Sequence, residues 1–283
     1  VTVYPLVIRL GPFMITGYGI MMMVAFLTAG WVMQRELRRQ NLRDDFAADI
    51  VVAAVIGGIV GAKLWYAALY GDLSALFSRG GLVWYGGFLG GVAAVVLTSL
   101  RRRVPLRFTM DLTAPALAVG YALGRVGCFL VQDDYGVPTS LPWGMKFPQG
   151  WPPSTAQNLE REFGVPAPPG TDPATVMAVH PTQLYEVALM LAAFWCIWRL
   201  RAHAHAKGWL FGVYLVFAGS ERFLVEFLRA KDDRLLAGFT LAQATSLVLV
   251  VLGMLCLRAW RRAEEAVPPL SLLPNRAPAK RSA

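Results

Sequence analysis

Seven stretches of this chain stay apolar for roughly twenty residues, enough for each to cross the hydrocarbon core of a bilayer as a helix. They lie near residues 13–33, 48–70, 84–100, 111–131, 182–200, 208–228 and 238–258. Backbone inside lipid must satisfy its own N–H and C=O groups, so runs of this length are read as helices. The expected fold class is an all-α membrane protein with seven transmembrane helices. Composition agrees, with 56% hydrophobic residues, 16% charged residues and a mean hydropathy of +0.48. The net charge of +9 raises nucleic acid as a partner. The basic residues, however, gather in short clusters between the apolar runs, as loop anchors do, and no nucleic-acid partner is expected. Cys128, Cys196 and Cys256 are scattered without a CxxC pair, which supports neither a disulfide framework nor a zinc site.

The basic clusters set an orientation. Arg35, Arg38, Arg39 and Arg43 fill the first connection, and Arg101, Arg102, Arg103 and Arg107 the third. Arg199, Arg201 and Lys207 fill the fifth, and Arg258, Arg261, Arg262, Arg276, Lys280 and Arg281 follow the last run. The alternate segments are poorer in Lys and Arg, so the odd connections and the C-terminus are expected in the cytoplasm and the N-terminus outside. Four parts follow: spans one to four over 1–131, an external cap loop over 132–179, spans five to seven over 180–258, and a disordered cytoplasmic tail over 259–283. The cap is rich in proline, which leaves room for only a short helix around Leu159 to Phe163, with Trp143, Met145, Phe147 and Trp151 available to pack. Glycines 57, 58, 61, 86, 87, 90 and 91 are read as close-packing positions between the second and third spans.

With that topology the unusual polar residues share one depth. Tyr18, Tyr85, Arg125, Gln132, Asp133, Asp134, His180, Gln183, Tyr185, Glu186, Arg222, Glu226 and Arg229 all fall in the outer half of the membrane or at its outer surface. Lys63 is nearer the middle. An interfacial belt accounts for Trp84, Tyr85 and Trp209. It does not account for Arg125, Arg222 or Glu226, which sit one or two turns inside apolar runs, where an ionisable group reads as functional by default. Arg222, Glu226 and Arg229, spaced by four and three, share a helical face. Guanidinium binds phosphate bidentately and stays charged, so an anionic phospholipid headgroup is the expected ligand. The segment from His180 to Glu186 reads as a helix start, with Pro181 in the first turn and Glu186 favourable to the helix dipole. His203 and His205 read as solvated loop residues, and one outer histidine assembles no metal site.

Taken together these residues resemble the bacterial prolipoprotein diacylglyceryl transferase family. The resemblance is carried by Gly124-Arg125-Val126-Gly127 with Gly136, by Pro142-Trp143-Gly144-Met145 and Phe147-Pro148, and by His180-Pro181-Thr182-Gln183-Leu184-Tyr185-Glu186. Glu221-Arg222-Phe223-Leu224-Val225-Glu226-Phe227-Leu228-Arg229, Tyr18-Gly19 and Trp84-Tyr85-Gly86-Gly87 complete it, in order, from about residue 10 to about 258. At Tyr85 many relatives carry histidine, at Cys128 asparagine, and at Gln132-Asp133 a Gly-Glu pair. The resemblance implies a multi-pass protein of the bacterial inner (cytoplasmic) membrane whose active site faces the periplasm. It implies transfer of the diacylglyceryl group of phosphatidylglycerol to the lipobox cysteine of a prolipoprotein signal peptide, with glycerol phosphate leaving. It implies no metal or cofactor.

The expected catalytic set is Arg125, Arg222, Tyr85, Glu226 and Asp133. The expected lipid-binding set is Arg125, Arg222, Arg229, Tyr18, His180, Gln183 and Tyr185. Tyr85, Glu226 or Asp133 takes the thiol proton, or the field of the arginines favours thiolate unaided. A non-catalytic protein that binds or transports anionic phospholipid satisfies the same outward-facing polar residues.

Overall fold

Most of the apolar runs become helices where a capping residue, a proline or a left-handed glycine separates them from the chain before. In the computed structural model, which describes residues 1–11, 13–71, 74, 76, 82–230, 234–236, 239–262 and 269–274, α1 (Gly17–Arg39) starts at Thr16, whose Oγ1 accepts from Gly19 N at 3.2 Å. α2 (Asp45–Tyr70) stops at Gly71, with φ +65°. α3 (Trp84–Arg101) is followed by α4 (Leu106–Val131), which opens after Pro105. The short α5 (Ala156–Phe163) lies in the loop beyond, as expected there. α6 (Thr182–Leu200) opens after Pro181, and α7 (Trp209–Glu226) after Gly208. α8 (Leu241–Ala259) opens on a capping box between Thr240 and Gln243.

Helices α1, α2, α4, α6 and α8 are long and apolar enough to cross a membrane by length and composition. α3 and α7 have 18 residues each, and α7 carries Glu221, Arg222 and Glu226. The bundle is apolar outside: Leu27, Trp31, Ile56, Val248, Leu252 and Leu255 are all exposed, the arrangement suited to lipid as solvent. This is an all-helical, multi-pass membrane protein with two small hairpins added. In one, β1 (Val7–Leu10) pairs antiparallel with β2 (Phe13–Thr16), so the first run begins as strand and turns helical only at Gly17. In the other, β3 (Arg234–Leu236) pairs with β4 (Phe239–Thr240).

α4 is the hub, packed against α1, α6 and α7, while α2 pairs with α3 and α7 with α8. The α2–α3 seam depends on glycine. A Cβ on Gly57 would lie 2.6 Å from Gly90 O, and one on Gly61 2.8 Å from Gly90 Cα. At one end of the bundle Val32, Leu37, Phe46, Ile50, Phe108 and Leu112 form a core, and Leu272 inserts into it. The expectation of a disordered tail therefore does not hold over residues 269–274. Leu270–Leu272 is a 3-10 turn whose Leu272 O accepts from Arg43 N at 2.8 Å, because a buried leucine anchors it. Of the rest of that tail, 263–268 and 275–283 lie outside the described residues.

His205 also departs from the solvated-loop reading. Its side chain is buried, stacked on Trp209 at 5.0 Å and 3.9 Å from the Asp111 carboxylate, which itself accepts from Phe211 N in the first turn of α7. At the opposite end of the bundle, residues 132–179 fold around Tyr135, Phe147, Leu159 and Val179. Phe147 is fully buried and Met145 packs beside it, whereas Trp143 and Trp151 stay on the surface rather than packing. Trp143 Nε1 donates to Tyr185 Oη at 2.8 Å, which holds its ring outward.

Candidate active site: a closed ring of charges

Where α4 ends, the chain turns through two left-handed residues, Gln132 and Asp134, each with φ 62°. Residues 135–137 then thread between the end of α7 and the start of α6. Val137 N donates to Leu228 O (2.9 Å), and Gly136 N donates to His180 O (2.8 Å). Only glycine fits at 136, since a Cβ there would lie 2.8 Å from both His180 Cβ and Thr182 Cγ2. The Thr182 hydroxyl donates to Asp134 O at 2.8 Å, and Gln183 Nε2 donates to Asp133 O at 2.5 Å. This threading brings the last turns of α4 and α7 and the first turns of α6 to one place.

Six charged side chains close a ring there, alternating in sign. Arg125 on α4 grips Glu186 on α6, with Nε 2.7 Å from Oε2 and Nη2 2.8 Å from Oε1. Glu186 Oε1 meets Arg222 Nη1 at 3.3 Å, and Arg222 Nη2 meets Glu226 Oε2 at 2.8 Å. Glu226 Oε2 lies 3.6 Å from Arg229 Nε. Arg229 Nη2 reaches Asp134 Oδ1 at 2.5 Å, and Asp134 Oδ2 returns to Arg125 Nη1 at 2.7 Å. Tyr121, one turn before Arg125, donates to Glu186 Oε1 at 3.1 Å and accepts from Arg125 Nε at 3.3 Å. Cys128 Sγ is 3.7 Å from Arg125 Nη1.

Three guanidiniums against three carboxylates make the ring formally neutral, which is how so many charges persist in an apolar bundle. Each buried ion costs several kcal/mol of desolvation, and only mutual pairing offsets it. Glu186 and Glu226 are essentially sealed, whereas the side chains of Asp134 (33% exposed), Arg222 (22%) and Arg125 (13%) face an opening. Burial alone would raise the Asp134 carboxyl, but the guanidiniums of Arg229 and Arg125 outweigh it and hold the group at about 2. Asp133 is the reverse case. Burial, and then the neighbouring Asp134 charge, push it above the usual carboxylate range, and its Oδ1 accepts from Asp134 N at 2.8 Å.

Of the residues singled out from sequence, Arg125, Arg222, Glu226 and Arg229 meet in the ring, and Asp133 adjoins it. Gln183 supports the loop through the Asp133 carbonyl. Tyr18 lies against α4, its ring carbon 3.2 Å from where a Cβ on Gly127 would stand. His180 Nδ1 bonds to Tyr185 Oη at 3.1 Å, forming with Trp143 a separate chain beside the ring, and burial lowers the His180 pKa. Tyr85 is not brought in. It opens α3, half exposed and edge-on to Trp84, and among the described residues no hydrogen bond joins it to the ring. Sequence reasoning undervalued four groups. Glu186, read as a helix-dipole partner, is the hub, and Asp134 is a ring member. Tyr121 supports the hub, and its four-residue spacing from Arg125 was a readable signal. Glu221, buried next to Arg222, has an Oε1 without a hydrogen-bond partner among the described residues.

A multi-pass membrane protein with an ion ring open at one end of its bundle is the class that this geometry defines. Comparison with known proteins narrows it. The family profile described as Prolipoprotein diacylglyceryl transferase matches residues 5–259, and the chain belongs to that family. It is similar to proteins named phosphatidylglycerol–prolipoprotein diacylglyceryl transferase in several bacteria. That of Nitratidesulfovibrio vulgaris is 31% identical over 90% of this chain and 93% of its own. That of Geobacter sulfurreducens is 32% identical over 88% and 92%, and that of Stenotrophomonas maltophilia 31% identical over 94% and 95%.

Proposed function

We propose that this protein transfers the diacylglyceryl group of phosphatidylglycerol to the lipobox cysteine thiol of prolipoproteins, forming a thioether and releasing glycerol phosphate. The observation that carries the reading is the charge ring, whose exposed sector offers guanidinium donors from two helices to one anion. Family membership selects transfer over passive lipid binding. Seven helices of 18 residues or more serve as spans, and the ring faces the periplasm from the bacterial inner membrane. The basic clusters support that orientation, since Arg107 in the first turn of α4, Arg201 just after α6 and Lys207 just before α7 lie at the ends of the ring-carrying helices away from the ring. Residues 132–179 form the external cap over the site.

Arg125 and Arg222 hold the phosphodiester and stabilise the charge that grows on the leaving phosphate oxygen. The thiolate sulfur attacks the adjacent glyceryl carbon, the C–O bond breaks, and its electron pair leaves with glycerol phosphate. Asp133 takes the thiol proton. Asp134, held at about 2, is too weak a base, while Asp133 is raised towards the range a general base needs. Tyr85 and the sealed Glu226 are less well placed. The test is to mix purified protein with phosphatidylglycerol and a lipobox peptide and to look for the diacylglyceryl mass increment on the peptide. Lipid binding without that increment would assign the site to lipid binding or transport instead.

A further inference from the structure

The ring presents a difficulty for any incoming anion: most of its donors are already engaged. Arg125 spends three nitrogens on Glu186 and Asp134, and Arg222 spends two on Glu186 and Glu226. A phosphate group can take up the N–H donors that Arg222 keeps outside these pairs, but it gains the Arg125 seat only by replacing a carboxylate, and the three carboxylates are not equally replaceable. Glu186 and Glu226 stand on helices, sealed from solvent, and Tyr121 pins Glu186. Asp134 stands on a loop with its side chain a third exposed. Its backbone is fixed by Thr182 and by the positive φ, so its side chain alone has to move.

We propose that Asp134 is an internal stand-in for the substrate anion, a carboxylate that occupies the seat between Arg125 and Arg229 and leaves it when a phosphate group binds. The proposal rests on the phosphate-clamp reading above. The chemistry of the exchange is matched. Two oxygens sharing one negative charge bridge Arg125 Nη1 and Arg229 Nη2, as the two non-bridging oxygens of a phosphodiester can. Donors are also in surplus at that corner, because Arg229 Nη1 is buried without a hydrogen-bond partner among the described residues. A group with more acceptor capacity than a carboxylate is favoured there. The stand-in keeps two guanidiniums from facing each other unneutralised in the empty enzyme, and it sets the affinity by competing with substrate. Asp134 is in this sense a specificity-determining residue: an uncharged headgroup cannot displace it.

The full chain in detergent micelles is titrated with phosphatidylglycerol, phosphatidylcholine and inorganic phosphate, reading Tm and bound lipid, for the wild type, Asp134→Asn and Asp134→Glu. Asp134→Asn is expected to melt below the wild type when empty and to bind phosphatidylglycerol about tenfold more tightly, the scale of one charge-assisted contact no longer in competition. Asp134→Glu restores the competitor and returns the affinity towards the wild-type value. Tightening for both lipids but not for inorganic phosphate assigns the seat to a lipid phosphodiester, tightening for phosphatidylglycerol alone adds selection by its glycerol headgroup, and tightening for inorganic phosphate as well assigns it to phosphate in general; all three support the stand-in. Unchanged or weaker phosphatidylglycerol binding by folded Asp134→Asn overturns it. Should Asn not fold, Asp134→Ser is read in the same way. If neither neutral variant folds with phosphatidylglycerol present, Asp134 is structural and the proposal falls. Wild-type protein that binds phosphatidylglycerol but never lipidates peptide sinks the transferase reading while leaving the seat intact.

Discussion

The two ends of this bundle use the same residue types to opposite effect. At the ring, the charges sit inside helices or on a loop pinned to them, close on themselves and sum to zero. At the other end Arg39 and Arg201 share the buried Glu36 without closing a ring, and the other ion pairs of the arginines stand in the open. Arg38 meets Asp44 at 2.6 Å and Arg43 meets Asp45 at 2.8 Å, and Arg102 bridges Asp45 and Asp49, all with solvent-exposed side chains. Exposed pairs of that kind contribute about 0–1 kcal/mol each. Breaking a buried one costs about 3–5 kcal/mol, because the surviving partner is stranded without water. What distinguishes the functional end is therefore burial and closure, since ion pairs are plentiful at both.

Glu186→Gln attacks the comparison at its deepest point and has the largest expected effect. It keeps the shape of the side chain and leaves Arg125 and Arg222 with a neutral partner. A loss of about 3–5 kcal/mol is expected in denaturation measurements, together with loss of transfer. Adding Arg222→Gln restores the ring's neutrality and should recover part of the stability without recovering transfer. Additive losses in the double variant would show that the ring is not one electrostatic unit. Arg222→Lys comes next. Lysine keeps the charge but loses the two-pronged donor geometry, and the expected result is a folded protein whose transfer falls about a hundredfold to a thousandfold. Near-wild-type lipidation, measured by mass spectrometry at saturating phosphatidylglycerol, would remove Arg222 from the clamp.

Asp133→Asn separates the two adjacent aspartates. A base with a raised pKa gives activity that climbs with pH as the group ionises and falls as pH drops below its pKa. Asp134, held at about 2, is ionised across the whole working range and contributes no such limb. The variant is expected to lose about a hundredfold in kcat, the low end for a positioned base, and to lose the acidic limb of its pH–rate profile. Retention of that limb would assign the proton to another group.

These residues also show what the sequence could and could not disclose. The long helices were legible because about twenty apolar residues admit little else. The β1–β2 hairpin was not, because residues 13–16 are apolar whether they extend or coil. Arg125, Arg222, Glu226 and Arg229 stood out because a charge in an apolar run is expensive. Glu186 was hidden by an innocent alternative, since a glutamate near a helix start is ordinary. Which of Asp133 and Asp134 points into the ring depends on two left-handed residues, and nothing in the residue types announces that turn. Tyr85 drew attention by its place in a family motif, and the fold places it on the α2–α3 pair, outside the ring.

The smallest effect is expected from Arg102→Ala, and it is the control on which the comparison stands. Arg102 has more partners than most exposed arginines, pairing with Asp49 and reaching Asp45 at 3.1 Å. Counting contacts alone would rank it beside Arg222. Its side chain is nevertheless 40% exposed, so water resolvates Asp45 and Asp49 when it is removed, and Arg43 still pairs with Asp45. The loss should stay below about 1 kcal/mol and shrink further in high salt, where exposed pairs are screened. Insertion should keep its orientation, because Arg101, Arg103 and Arg107 remain in the same connection. Denaturation of Arg102→Ala beside Glu186→Gln, at low and high ionic strength, reads both points. A loss at Arg102 equal to that at Glu186, and insensitive to salt, would mean that the exposed network holds the bundle together as firmly as the buried one does. Burial would then no longer separate the two ends.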